Sequence, residues 1–140
     1  MLSKENENLV FIKLQPDEDI NAQIKKACKK HDIKTAIVIS GIGQLKKTKL
    51  GFFKNKDNYS PKIFEKPLEL LSLTGNIIYQ NNDYLLHLHT VVSDENKIAY
   101  GGHLIEGEIS ITAEIVLLKN DIDIFRKQNK KTGLKDMSFE

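Results

Sequence analysis

The sequence predicts an α+β domain: a mainly antiparallel β-sheet flanked by one main helix. Three observations carry this. From residue 44 onward, apolar and β-branched runs alternate with short polar turns, the pattern of hairpins. Only one stretch, about 18–31, repeats its apolar residues at helical spacing. The chain has 140 residues, which suits one domain able to bury roughly 70% of its unfolded surface.

Residues 1–8 are polar and read as a loose terminus. Leu9-Val10-Phe11-Ile12-Lys13-Leu14 reads as a first strand. Pro16-Asp17-Glu18-Asp19 marks a helix start, with proline early and acids that favour the helix dipole. Ile20, Ile24, Ala27 and Cys28 then fall at i, i+4, i+7 and i+8, an apolar stripe opposite Lys25, Lys26, Lys29 and Lys30. His31, at the helix end, reads as a partner of the dipole. Ile33 to Ser40 is β-branched and mostly apolar, a strand with a buried face. Gly41-Ile42-Gly43 suits a tight turn or bulge. It lacks the Gly-Lys-Ser/Thr ending of a phosphate loop.

Leu45 to Phe53 is a further strand and 55–61 a loop. Leu68 to Thr74 is a strand ending near Gly75, and Gln80 to Asp83 a turn. Tyr84 to Val92 and Ile109 to Leu118 are strands, with a turn at Ser93 to Asn96. Glu106, beside Gly107, reads as a turn residue. The last segment is charged, with room for a short strand near Ile122–Arg126. The domain therefore spans 9–127, with 1–8 a flexible terminus and 128–140 a charged tail.

Net charge is +2, from 21 basic and 19 acidic residues. That balance does not demand nucleic acid or a membrane surface as partner. Arg126 is the only arginine. Lysine is a solvated point charge, whereas bidentate recognition of bases and phosphates favours arginine. Apolar residues make up 40% of the chain, and mean hydropathy is −0.36. No apolar run reaches the ~20 residues of a membrane helix. The polar start lacks a signal-peptide core, so the expected location is the cytoplasm. Cys28 is alone, so no internal disulfide forms, and its place on the apolar stripe makes it a core residue.

The chemistry lies in Tyr84-Leu85-Leu86-His87-Leu88-His89-Thr90-Val91-Val92. Side chains alternate along a strand, so His87 and His89 share one face. Their Cα atoms stand roughly 6.5–7 Å apart, a spacing from which two imidazoles can converge on one ion. The other face, Leu86, Leu88, Thr90 and Val92, can pack on the core. His103 follows in Gly101-Gly102-His103-Leu104, and an antiparallel return after residues 93–97 carries it back to the pair. Three neutral imidazoles with a fourth position open is the layout of a catalytic-type zinc site. Nickel, copper and iron also accept imidazole. Glu69 and Glu114 are the candidates for orienting an imidazole or serving as a general base.

Five motifs in order extend this reading: Ile39-Ser40-Gly41-Ile42-Gly43, Leu68 to Ile77, His87-Leu88-His89, Gly101-Gly102-His103-Leu104 and Thr112-Ala113-Glu114-Ile115. Together they resemble the PPC domain shared by plants and prokaryotes, over about residues 8–127. The resemblance implies an antiparallel sheet flanked by helix, a homotrimer, and a metal site on His87, His89 and His103. It also brings a DNA-binding label that plant members owe largely to a separate AT-hook. This sequence carries no Arg-Gly-Arg-Pro segment.

The favoured function is therefore a metal-binding homotrimer, zinc first among metals, with a small-molecule ligand or reaction left open. The alternatives are a DNA-binding or transcription-associated protein, through lysines 46, 47, 49, 54 and 56 or 127, 130, 131 and 135, and a structural or interaction module.

Overall fold

The computed structural model describes residues 1–56 and 58–139. Asp57, in the predicted 55–61 loop, and Glu140, the last residue of the predicted tail, lie outside the described residues. The elements are β1 (Leu2–Asn6), β2 (Leu9–Leu14), α1 (Ile20–Lys30), β3 (Thr35–Gly51), β4 (Lys62–Phe64), β5 (Leu68–Gln80), β6 (Asp83–Ser93), β7 (Ala99–Asn120), β8 (Phe125–Gln128) and β9 (Lys135–Ser138). The fold is the predicted one, antiparallel sheet with one helix. The main sheet runs β1-β2-β7-β6-β5-β3-β4, and β7 also pairs with β3. The pairings β3–β5, β5–β6, β6–β7 and β7–β3 thus close on themselves.

Helix α1 forms where the stripe predicted it. Asp19 caps it, accepting from the Ala22 N–H at 2.7 Å, which satisfies one of the donors a helix start leaves open. Ile20, Ile24, Ala27 and Cys28 are all buried, and the helix packs on β7, β2 and β6. Burial pushes the Cys28 thiol up to about 12, so it stays protonated in the core. His31 is the C-cap residue; its ring reaches back to Ser3 Oγ at 2.9 Å and Glu5 at 3.2 Å.

Several boundaries differ from the sequence reading, for one physical reason. A residue's turn propensity is local, while sheet pairing is decided by both neighbouring strands. Gly41-Ile42-Gly43 joins two predicted strands into one β3 of 17 residues, with register shifts at Val38/Ser40 and Gly43/Leu45 that make bulges rather than a turn. β5 likewise continues through Gly75 to Gln80. β7 runs 22 residues; Glu106 lies within it, opposite Lys49, whose Nζ it accepts at 3.1 Å. Residues 2–6, read as a loose terminus, pair antiparallel with β2 as an edge strand. The charged tail holds a hairpin, β8–β9.

The outer side of β2, β7 and β3 is apolar. Leu9, Leu118 and Ile37 stand in one row of the register, and Phe11, Val116 and Ser40 in the next. Phe11, Ile37, Ile39 and Ile42 are exposed. No helix among the described residues is long and apolar enough to cross a membrane.

Candidate metal centre

Strand alternation sets up the site. Along β6, Leu88, Thr90 and Val92 are buried, so the odd positions His87 and His89 face outward together. Asp94 builds the return into β7. Its Oδ1 accepts from the Asn96 and Ile98 N–H groups at 3.0 and 3.1 Å, and its Oδ2 from Lys66 Nζ and the Tyr100 hydroxyl at 3.2 Å each. The chain turns back in antiparallel register, which puts His103 directly opposite His89.

Two glycines make the close approach possible. At Gly75 φ is +145°, and a Cβ there would stand 2.0 Å from the His87 carbonyl oxygen. At Gly102 a Cβ would stand 2.8 Å from the Gly51 carbonyl oxygen. The backbone of β5 can therefore lie against His87, and that of β3 against the residue before His103.

The three rings converge. His87, His89 and His103 each offer one nitrogen, and these nitrogens lie within 4.8 Å of one another. His87 Nε2 and His89 Nε2 are 3.2 Å apart. Ring centroids are separated by 5.1, 5.5 and 5.4 Å. The first two rings are exposed and His103 is half-buried. Tyr59 sets its ring edge-on to His103, at 5.6 Å between centroids.

Burial, then the Arg126 guanidinium and His89, lower the pKa of His87 below the ordinary imidazole value. Burial, then His87 and His89, do the same for His103. Both shifts favour the neutral ring, the form that ligates a metal.

The donor set fits a transition ion. Zinc–imidazole bonds of about 2.0–2.1 Å in a tetrahedron place neighbouring nitrogens about 3.3–3.4 Å apart, close to the observed spacing of His87 and His89. His103 Nδ1 is buried without a hydrogen-bond partner, so its ring holds unused bonding capacity.

Glu69 and Glu114 do not join the triad. Glu69 lies opposite Ser93, away from the His87 and His89 pairings of β5, and accepts from Gln44 Nε2 at 2.7 Å. Glu114 stands between Lys13 and Ile42 on the apolar outer side. What adjoins the triad is a cavity of about 860 Å³ whose walls include His87, His103, Asn76, Arg126, Leu134 and Met137. Sequence reasoning did not place Tyr59, Asn76 or Arg126 here. The one available signal was that Arg126 is the sole arginine of the chain.

The match to the Plants and Prokaryotes Conserved (PCC) domain covers residues 1–121. The chain belongs to that family. Solved structures are similar throughout. A candidate DNA-binding protein from Bacteroides thetaiotaomicron is 29% identical with a TM-score of 0.92, covering 99% of this chain and 96% of that one. A plant- and prokaryote-conserved protein from Pyrococcus horikoshii is 30% identical with a TM-score of 0.82, covering 96% and 94%. A metal-containing protein from Archaeoglobus fulgidus is 25% identical with a TM-score of 0.84, covering 99% of each. The bifunctional protein GlmU of Synechococcus sp. (strain JA-3-3Ab) is 27% identical over 131 residues, which are 92% of this chain but 20% of that relative. The chain thus spans about one fifth of the length of the curated relative it matches.

Proposed function

We propose that this PCC-domain chain is a metal-binding homotrimer in which His87, His89 and His103 hold one divalent transition ion, zinc before other metals. The observation that carries the reading is the convergence of three imidazole nitrogens within 4.8 Å, with no carboxylate among them. A metal-containing neighbour of the same fold, 25% identical, supports it. The apolar outer side of β2, β7 and β3 supports self-association, since contiguous exposed apolar surface marks contact sites.

Such an ion, when bound, supplies Lewis acidity and lowers the pKa of a coordinated water. The chain's own part is positioning. β6 aims two rings, β7 supplies the third, and the adjoining cavity leaves one side of the cluster open to a small molecule.

The test is elemental analysis of untagged protein prepared without chelator, beside a His87→Ala/His89→Ala variant. About one transition metal per chain is expected, lost in the variant. Absence of metal from the parent after zinc incubation sinks the metal reading. Light scattering on the same sample should give three times the 16.0 kDa chain mass; a monomer mass sinks the trimer.

DNA contact is a second reading, favoured by the candidate DNA-binding neighbour and by exposed Lys127, Lys130, Lys131 and Lys135. Against it, Lys46 is paired with Asp17 and Glu108, and Lys49 with Glu106. Duplex binding that falls steeply with salt would support it.

A further inference from the structure

The cavity beside the triad has two chemically distinct parts. Leu86, Leu104, Leu134 and Met137 give it apolar wall; Arg126, Lys25 and Lys135 bring cations and Asp136 one carboxylate, with Lys25 already paired to Asp83. Its volume, about 860 Å³, lies in the range of small-molecule sites, roughly 300–1,000 Å³. Arg126, Leu134 and Met137 come from the β8–β9 hairpin, beyond residues 1–121 of the family match.

Arg126 is held in place from both ends. Its backbone N–H donates to Gln80 Oε1 at 2.7 Å, and its carbonyl accepts from Gln80 Nε2 at 3.2 Å. Its guanidinium donates through Nη2 to Asn76 Oδ1 and through Nη1 to the Lys135 carbonyl at 3.3 Å. Asn76 is the register partner of His87, so the guanidinium is anchored next to the triad.

Both of those acceptors are neutral. Among the described residues Arg126 forms no ion pair. Asp136, on the same wall, accepts instead from Asn129 Nδ2 at 2.6 Å. Two of five guanidinium N–H donors are used. A half-buried guanidinium with donors to spare and no carboxylate bonded to it, Asp136 lying near but bonded to Asn129, can take an added anion. Burial lowers its pKa, with Asp136 working the other way; an arginine stays charged regardless.

We propose that this cavity takes a small organic anion, its carboxylate or phosphate group paired with Arg126 and its apolar body against Leu86, Leu104, Leu134 and Met137. The inference rests on the metal reading for what the ligand's other end meets. It does not rest on it for the anion contact.

The probes are phenylacetate, phenylphosphonate and the neutral phenylacetamide, titrated calorimetrically into the full chain with and without zinc. Metal content is measured separately on every sample. Either acid should bind tighter than the amide, and which acid wins identifies the head group. Arg126→Gln should weaken the preferred acid roughly ten- to a hundredfold, the value of a charge-assisted hydrogen bond. It should leave the amide and the metal content unchanged. Met137→Glu keeps the arginine but places a carboxylate opposite it in the hairpin register, and should weaken the acid likewise.

Equal binding of acid and amide, or full acid affinity in both variants, overturns the proposal. Zinc-free protein that still prefers the acid through Arg126 supports the anion site even if the metal reading fails.

Discussion

Strands β6 and β7 hold the three histidines inside a closed circuit of backbone pairings, whereas β8 and β9 pair only with each other. The hairpin reaches the same cavity through side chains, chiefly the Gln80 amide on the Arg126 backbone and the Arg126–Asn76 bond. A ladder of many backbone bonds opens only with the whole sheet. A hairpin docked by a few side-chain bonds can open by itself. The floor that bears the rings is therefore expected to hold while the hairpin wall opens.

The largest effect should come from the floor. Gly75→Ala adds a Cβ 2.0 Å from the His87 carbonyl oxygen at a φ of +145°. Strand β6 must shift or β5 must change conformation. Loss of about 3 kcal/mol or more in urea unfolding is expected, and metal uptake by the proposed site should fall in parallel. Gly101→Ala is the control. Its nearest neighbour, the Thr90 carbonyl oxygen, is 3.4 Å away, and it should cost less than about 1 kcal/mol. Equal costs for the two would show that close approach at Gly75 is not what sets the ring positions.

The turn that joins the histidine strands gives a pH signature. Burial works to raise the pKa of Asp94, but the Ile98 N–H, the Lys66 ammonium and the Asn96 N–H outweigh it, and the net shift is downward from the ordinary value of 3.8. A carboxyl depressed in the folded state binds fewer protons there than when unfolded. Its contribution is complete above the unfolded pKa and is lost as pH falls below about 4 through the folded value. Chemical denaturation between pH 6 and 3 should therefore show stability falling more steeply in the parent than in Asp94→Asn. Parallel curves would mean that Asp94 is not the charged anchor of this turn.

The two regions also differ in how legible they were. His87 and His89 announce themselves because strand alternation is a period of two and their intervening neighbours are apolar. His103 follows once Ser93 to Lys97 is read as the return. The glycines misled the reading of β3 and β5, since a glycine signals a turn locally but here relieves a close approach between paired strands. β1 is Leu-Ser-Lys-Glu-Asn, an edge strand held by backbone pairing with no alternation to detect. The hairpin was least legible. Phe125-Arg126-Lys127-Gln128 and Lys135-Asp136-Met137-Ser138 are mostly polar, and their pairing depends on the turn, where Gly133 sits at φ +75° and donates to the Asn129 carbonyl at 2.8 Å. Glu69 and Glu114 are acids on strand faces, but sequence does not say at which height of a long strand a residue meets the site.

The smallest global effect, and the sharpest separation of the two regions, should come from Gln80→Ala. It removes both hydrogen bonds to the Arg126 backbone while leaving the guanidinium, the rings and the β5–β6 register intact. At about 0.5–1.5 kcal/mol net per bond, local opening of the hairpin should become easier by about 1–3 kcal/mol. Hydrogen exchange should quicken for amides of residues 125–138 and remain unchanged for those of β6 and β7. If the proposed metal and anion sites hold, bound metal should stay at the parent level, while acid binding weakens because the Arg126 backbone is no longer held against the cavity. If β6 and β7 exchange faster as well, hairpin and triad form one cooperative unit, and the hairpin is not a separately adjustable wall.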